Sequence, residues 1–272
     1  MDLSFPIDSV QLTIDADYIA APLYSISRLQ INETEFAITV DGVATYRVKD
    51  GCKIWVSPHK GADQSTVQLF LNGSVFGAVL HQRGIIPFHG CSFEYEGKII
   101  MICGRSGVGK SSVTAAFCQK GAHFINDDIT PVSIDGSIIT ITPIRSQMKL
   151  WDDSLKVLKI ENKGLKNIRP SIQKFYVPFS NTYESKLCLN TIVVMGTHER
   201  DNYEVSRPTG VEKYNLLRKN TYRKIYLRGM PQTAKNYFKQ LLKLAETIEV
   251  IQILRPTLSD VYSTMEFIRK QL

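Results

Sequence analysis

The sequence predicts an α/β fold in which a mixed sheet with helices follows a small β-rich unit, and three observations carry that expectation. Residues 31 to 57 alternate apolar and polar side chains between turn dipeptides. A glycine-rich loop, Gly104-Arg105-Ser106-Gly107-Val108-Gly109-Lys110-Ser111, sits between a short apolar run and an amphipathic segment. Beyond it, short apolar runs and segments of helical periodicity succeed one another to the C-terminus.

In the first stretch Phe36, Ile38 and Val40, then Tyr46 and Val48, then Ile54 and Val56 share one face, and Asp41-Gly42 and Asp50-Gly51 are hairpin turn signals. Residues 1–71 are therefore read as a β-rich N-terminal unit and 72–272 as a catalytic domain. From Asn72 to Arg83 the apolar positions Val75, Phe76, Val79 and Leu80 fall on one helical face, and Gly84 follows as a stop. If Glu96-Gly97 closes a two-residue hairpin turn onto the run Lys98 to Cys103, His89 lies opposite Gly104, beside the loop.

A helix is expected from about Lys110 to Lys120, burying Val113, Ala116 and Phe117, with Gly121 ending it and a strand over Ala122 to Asn126. Strand, helix and strand of this length form a βαβ unit whose parallel strands put Asp127 and Asp128 at the same sheet edge as the loop. Asp135-Gly136 predicts a hairpin between Ile129–Ile134 and Ser137–Thr142. A strand over Leu187–Met195, a helix over Thr233–Thr247, a strand over Glu249–Leu254 and a helix from Leu258 complete the chain; residues 145 to 186 are basic and read as loop-rich, without a readable pattern of elements.

Composition narrows the class. The 272 residues are 43% hydrophobic, enough for a substantial core. The five cysteines are widely spaced without a C-x-x-C pair, which reads as reduced core thiols in a cytoplasmic protein. No apolar run approaches the length of a membrane span, so no membrane partner is expected. The net charge of +7 is uneven: residues 145 to 175 hold 8 basic and 3 acidic side chains, and 212 to 243 hold 9 and 1. Such a surface suits a nucleotide or an acidic partner; without an aromatic-basic RNA motif, nucleic acid is not the expected one, and a homo-oligomer is allowed.

The pattern G-x-x-x-x-G-K-[ST] arises by chance in roughly one chain of this length in a hundred. Between a strand and a helix it aims backbone N–H groups and a positive helix end at a polyphosphate. Gly104, Arg105, Ser106, Gly107, Val108, Gly109, Lys110, Ser111 and Ser112 are the expected nucleotide-binding residues; Lys110 reaches the β- and γ-phosphates and the Ser111 hydroxyl ligates Mg²⁺. Phosphoryl transfer also needs a carboxylate for the metal and a group for the acceptor proton. Asp128 is assigned to magnesium and Asp127 to the acceptor, although spacing alone leaves the roles interchangeable. His89 is placed to bond a γ-phosphate oxygen or the aspartate base.

His89-Gly90, the loop ending Ser106-Gly107-Val108-Gly109-Lys110-Ser111, and Gly121-Ala122-His123-Phe124-Ile125-Asn126-Asp127-Asp128 together resemble the catalytic domain of the HPr kinase/phosphorylase family, in that family's order and spacing. The likeness covers residues 72 to 151, and compact members of the family include kinases encoded with lasso peptides. It implies a mixed-sheet P-loop core related to phosphoenolpyruvate carboxykinases, and an ATP- and Mg²⁺-dependent kinase acting on a serine of a peptide or protein, with Asp127 matching the catalytic aspartate, Asp128 the metal-associated one and His89 the histidine by the loop. Met148-Lys149-Leu150-Trp151 also looks like a segment of the compact relatives, which draws Arg145 and Lys149 towards the site. The N-terminal 70 residues and the missing phosphorylase signature differ from true HPr kinases and point to another substrate. The alternatives are a small-molecule or carboxylate kinase and an ATPase without a dedicated acceptor.

Overall fold

A computed structural model describes residues 4–15, 19, 21–179 and 183–272. The fold is mixed α/β, and the chain divides into two compact units. The first comprises residues 1–87, 168–171 and 222–239, the second residues 88–167, 172–221 and 240–272.

In the first unit, strands β1 (Gln11–Ile14), β2 (Tyr24–Ile26), β3 (Leu29–Ile31), β4 (Glu35–Val40), β5 (Ala44–Lys49) and β6 (Lys53–Pro58) form one sheet in the order β1-β6-β5-β4-β3-β2. Val40 pairs with Ala44 and Lys49 with Lys53, so each expected turn dipeptide lies in a three-residue loop. Gly42 and Gly51 there adopt φ of 70° and 62°, which only glycine takes without cost. The buried face of the sheet carries Phe36, Tyr46, Val48, Ile54 and Val56.

Against it lies a helical run longer than the sequence suggested: α1 (Gln64–Phe70), a π-turn (Leu71–Val75) and α2 (Phe76–Gln82). Asp63 starts it by accepting the Thr66 N–H at 2.8 Å, an N-cap that the reading from Asn72 onward overlooked. Residues 72–87, grouped by sequence with the catalytic domain, thus cluster with the first unit, as does a later segment in which Tyr226 packs on Phe36 with ring centroids 4.8 Å apart. Return of the chain to an earlier unit leaves no local signal in sequence.

The second unit is built on a six-stranded mixed sheet of β8 (Gly90–Tyr95), β9 (Lys98–Gly104), β10 (His123–Asn126), β17 (Thr191–His198), β18 (Glu204–Ser206) and β19 (Glu249–Pro256), with β7 (Ile86–Phe88) just ahead of it. The order is β10-β8-β9-β17-β19-β18. Gly90 pairs with Cys103 and Tyr95 with Lys98, the hairpin register that Glu96-Gly97 predicted. The strands β9 and β10 run parallel, as expected, but β8 lies between them and is antiparallel to both. Their carboxyl ends still share one edge.

Between β9 and β10 runs α3 (Lys110–Gln119), ended by Gly121 at φ 96°. Phe117 stacks on Phe93 at 4.7 Å between centroids within the core of this unit. Truncating so large a buried ring costs roughly 3–5 kcal/mol. β11 (Thr130–Asp135) and β12 (Ile138–Ile141) form the expected hairpin, with Gly136 and Ser137 in the turn, and β16 (Leu187–Cys188) pairs with β12.

The unread stretch 145 to 186 folds as β13 (Gln147–Trp151), α4 (Asp152–Val157), β14 (Lys166–Asn167) and β15 (Lys174–Pro178), with sheet order β13-β15-β14. Helix α5 (Gly210–Lys219) was not anticipated; α6 (Pro231–Thr247) and α7 (Val261–Arg269) were. On α6 Tyr237, Leu241 and Leu244 are buried, whereas Phe238 and Leu242 are exposed. No helix among the described residues is long and apolar enough to cross a membrane. Cys91 and Cys103 are buried, Cys52 and Cys118 half-buried, and Cys188 is exposed rather than in a core.

Candidate functional site

The glycine loop leaves β9 at Gly104, where a Cβ would stand 2.4 Å from the Met195 carbonyl oxygen and 2.9 Å from Val108 Cγ1. No side chain fits there. Gly107 and Gly109 take φ of 84° and 97°, so that the chain folds back and enters α3 with its N-terminus open towards the loop. Val108 is the buried anchor of the loop, while Arg105, Ser106 and Gly107 are exposed.

Lys110 is 7% exposed and turns back beneath the loop, donating to the carbonyl oxygens of Gly104 at 2.9 Å and Arg105 at 3.0 Å. Its ammonium also lies 3.2 Å from His89 Nε2, which places His89 beside the loop as the register argument expected. His89 Nδ1 lies 3.0 Å from the Asp128 carbonyl oxygen. An ammonium can only donate and a carbonyl can only accept, so the neutral ring carries its proton on Nδ1 and accepts at Nε2. Burial first, and then the Lys110 charge, hold the His89 pKa below its ordinary value despite nearby Asp128.

Asp127 and Asp128 follow β10 and diverge through a three-residue turn, closed by Ile129 N–H donating to the Asp127 carbonyl at 2.9 Å, with Asp128 at φ 71°. Asp127 is 2% exposed and fully engaged. Its Oδ1 accepts from the Ser111 hydroxyl at 2.7 Å and the Cys91 thiol at 3.0 Å, and its Oδ2 from the Lys149 N–H at 2.8 Å. Asp128 Oδ2 meets the Lys149 ammonium at 2.8 Å, and Oδ1 lies 3.4 Å from His89 Nδ1. Burial alone would raise the Asp128 pKa, but Lys149 and then His89 outweigh it and hold the carboxyl well below the usual range.

Ser112 donates to Ser154 Oγ at 2.9 Å and so ties the end of the loop to α4. A cavity of about 530 Å³ is bordered by Ser106, Gly107, Gly109 to Ser112, Asp127, Asp128, Lys149, Trp151 and Lys174. A second, of about 890 Å³, is bordered by Gly104 to Val108, Gly196, Thr197, Lys219 and Thr257, and His89, Ser106, Gly107 and Arg255 border both.

All the residues singled out from sequence at the loop, together with His89, Asp127 and Asp128, thus meet in one unit. Lys149 joins them, but Arg145 does not border either cavity. Arg255, whose Nε donates to the Val108 carbonyl at 3.2 Å, was missed; a lone arginine at a strand end has no spacing to betray it. Among the described residues no group of three or more His, Cys, Asp or Glu could hold a metal unaided.

No protein-family model matches the chain. No curated protein matches it either. Among solved structures, the HPr(Ser) kinase/phosphatase from Coxiella burnetii is similar at 12% identity over 68% of this chain and 95% of that one, with a TM-score of 0.34. A likeness that slight adds nothing to the geometry.

Proposed function

We propose that this chain is an ATP- and Mg²⁺-dependent kinase that transfers the γ-phosphoryl group to a serine hydroxyl of a peptide or protein, an acceptor suggested by the motif order noted in the sequence. The observation that carries the reading is the 2.7 Å bond from Ser111 to Asp127 beneath a loop that also presents Lys110. A hydroxyl and a carboxylate held together beside an open helix N-terminus suit a magnesium ion that takes its remaining ligands from phosphate and water. When bound, magnesium would neutralise charge developing on the transferred group.

The sequence reading assigned Asp128 to the metal and Asp127 to the acceptor, roles that spacing alone left interchangeable. Contact with Ser111 supports the exchanged assignment, in which Asp127 stands on the metal side and Asp128, fixed by Lys149, faces the acceptor hydroxyl. A carboxylate kept ionised is a weak base but a good hydrogen-bond acceptor. That suffices for orientation, because phosphoryl transfer depends mainly on positioning and charge stabilisation. Lys110 would hold the β- and γ-phosphates, and neutral His89 keeps its ammonium directed beneath the loop.

The test is incubation with γ-labelled ATP, Mg²⁺ and the peptides encoded beside the protein, followed by mass spectrometry. A phosphoserine that Lys110→Ala abolishes supports the kinase reading. ATP consumption with no labelled acceptor would replace it with an ATPase, and labelling of free serine or a small carboxylate with a small-molecule kinase.

A further inference from the structure

We infer that Trp151 is the wall on which the planar base of the nucleoside triphosphate stacks, with Val157 completing the apolar part of that subsite. The inference deepens the nucleotide-binding reading and rests on it.

Trp151 is 48% exposed and Val157 49% exposed, and both border the 530 Å³ cavity that also contains Ser111, Ser112 and Asp127. Exposed apolar side chains scattered singly mean little. Two of them inside one concave site are what an aromatic ligand requires. The main chain that carries the indole is fixed: Trp151 pairs with Lys174 across β13 and β15, and the next residue, Asp152, donates its N–H to the Gln173 carbonyl at 3.1 Å. The Lys174 ammonium sits over the ring, 5.4 Å from its centroid. A ring fixed before binding loses little entropy when a base lies on it.

Direction along the loop selects the base rather than the acceptor. Lys110 points under Gly104 and Arg105 towards His89, which marks the β- and γ-phosphate end. Ser112, two residues on in α3, is bonded the other way, to Ser154 on α4, three residues beyond Trp151. A triphosphate threaded so that its γ end meets Lys110 therefore leaves the loop at its α end beside α4, where its base meets Trp151.

The protein has two tryptophans, so a Trp55→Phe background makes Trp151 the sole indole. In that background, Mg-ATP is expected to change the indole fluorescence and Mg-tripolyphosphate to leave it unchanged. By calorimetry, Trp151→Ala should weaken ATP binding by about tenfold, in keeping with the usual effect of losing a base–aromatic stack. It should not alter tripolyphosphate binding, and Trp151→Phe should restore most of the loss. ATP bound equally by all three forms would overturn the inference while leaving the loop reading intact. So would a Trp151→Ala defect confined to the KM of the acceptor, which would move the indole to the acceptor side. Failure of the unsubstituted protein to bind either tripolyphosphate or ATP would overturn the loop reading and this inference with it.

Discussion

Lys149 and Asp128 form a 2.8 Å ion pair, and the N–H of the same lysine donates to Asp127, so one residue of β13 holds both carboxylates. The site is thereby tied to a strand from the stretch of chain that had no readable pattern.

Lys149→Met should leave Asp128 without its strongest cationic neighbour. A loss of roughly 2 kcal/mol is expected, less than the 3–5 typical of fully buried pairs because the Asp128 side chain is 29% exposed. The depressed folded-state pKa makes this stabilisation complete above the ordinary carboxylate range and progressively lost as pH falls below it. Acid titration followed by circular dichroism should therefore place the unfolding midpoint of the variant at higher pH than that of the parent protein.

Asp127→Asn and Lys110→Ala are each expected to fold and, on the proposed kinase reading, to lower phosphoryl transfer by on the order of a hundredfold or more, since that reading has both groups act chiefly in the transition state. Asp127→Asn should still bind nucleotide. Steady-state kinetics over a magnesium series separates the two aspartates: a raised magnesium requirement in Asp127→Asn but not in Asp128→Asn agrees with the contact to Ser111. The reverse result would return the metal to Asp128.

Gly104→Ala and Gly107→Ala should differ sharply. At Gly104 the new methyl would meet the Met195 backbone at 2.4 Å, so a loss of several kcal/mol or outright misfolding is expected. At Gly107 nothing lies within 4 Å of a Cβ, and only its φ of 84° opposes alanine, at about 1 kcal/mol. Urea unfolding of the pair measures the difference.

Asp63→Ala removes the cap of α1, whose carboxylate accepts the Thr66 N–H and hydroxyl, both at 2.8 Å. A cost of about 1 kcal/mol is expected by thermal unfolding, with Asp63→Asn close to neutral.

Much of the site was legible because it lies on contiguous chain: a hairpin, a loop, a helix and a strand over residues 86 to 128 fix one another's positions through local register. The sum of paired positions across Glu96-Gly97 was enough to bring His89 to the loop. What escaped depends on distant chain. Ser154 and Arg255 reach the loop only through tertiary packing, and no periodicity in the short α4 or at the end of β19 marks them. The place of β8 between β9 and β10 left no trace in the sequence, because a crossover fixes direction but does not exclude an intervening hairpin strand. The start at Gln64 was missed because the π-turn at Leu71–Val75 shifts the helical phase between its two halves.

Cys91 lies 3.0 Å from the Asp127 carboxylate, fully buried, and burial and then that negative charge push its thiol pKa well up. It is a sulfhydryl at the centre of the site that stays protonated and closed to electrophiles, whereas Cys188 stands exposed. Alkylation of Cys91 is expected to wait on an opening of its surroundings, so that its rate, set against that of exposed Cys188, would make the native sulfur a built-in clock for how often the candidate site opens.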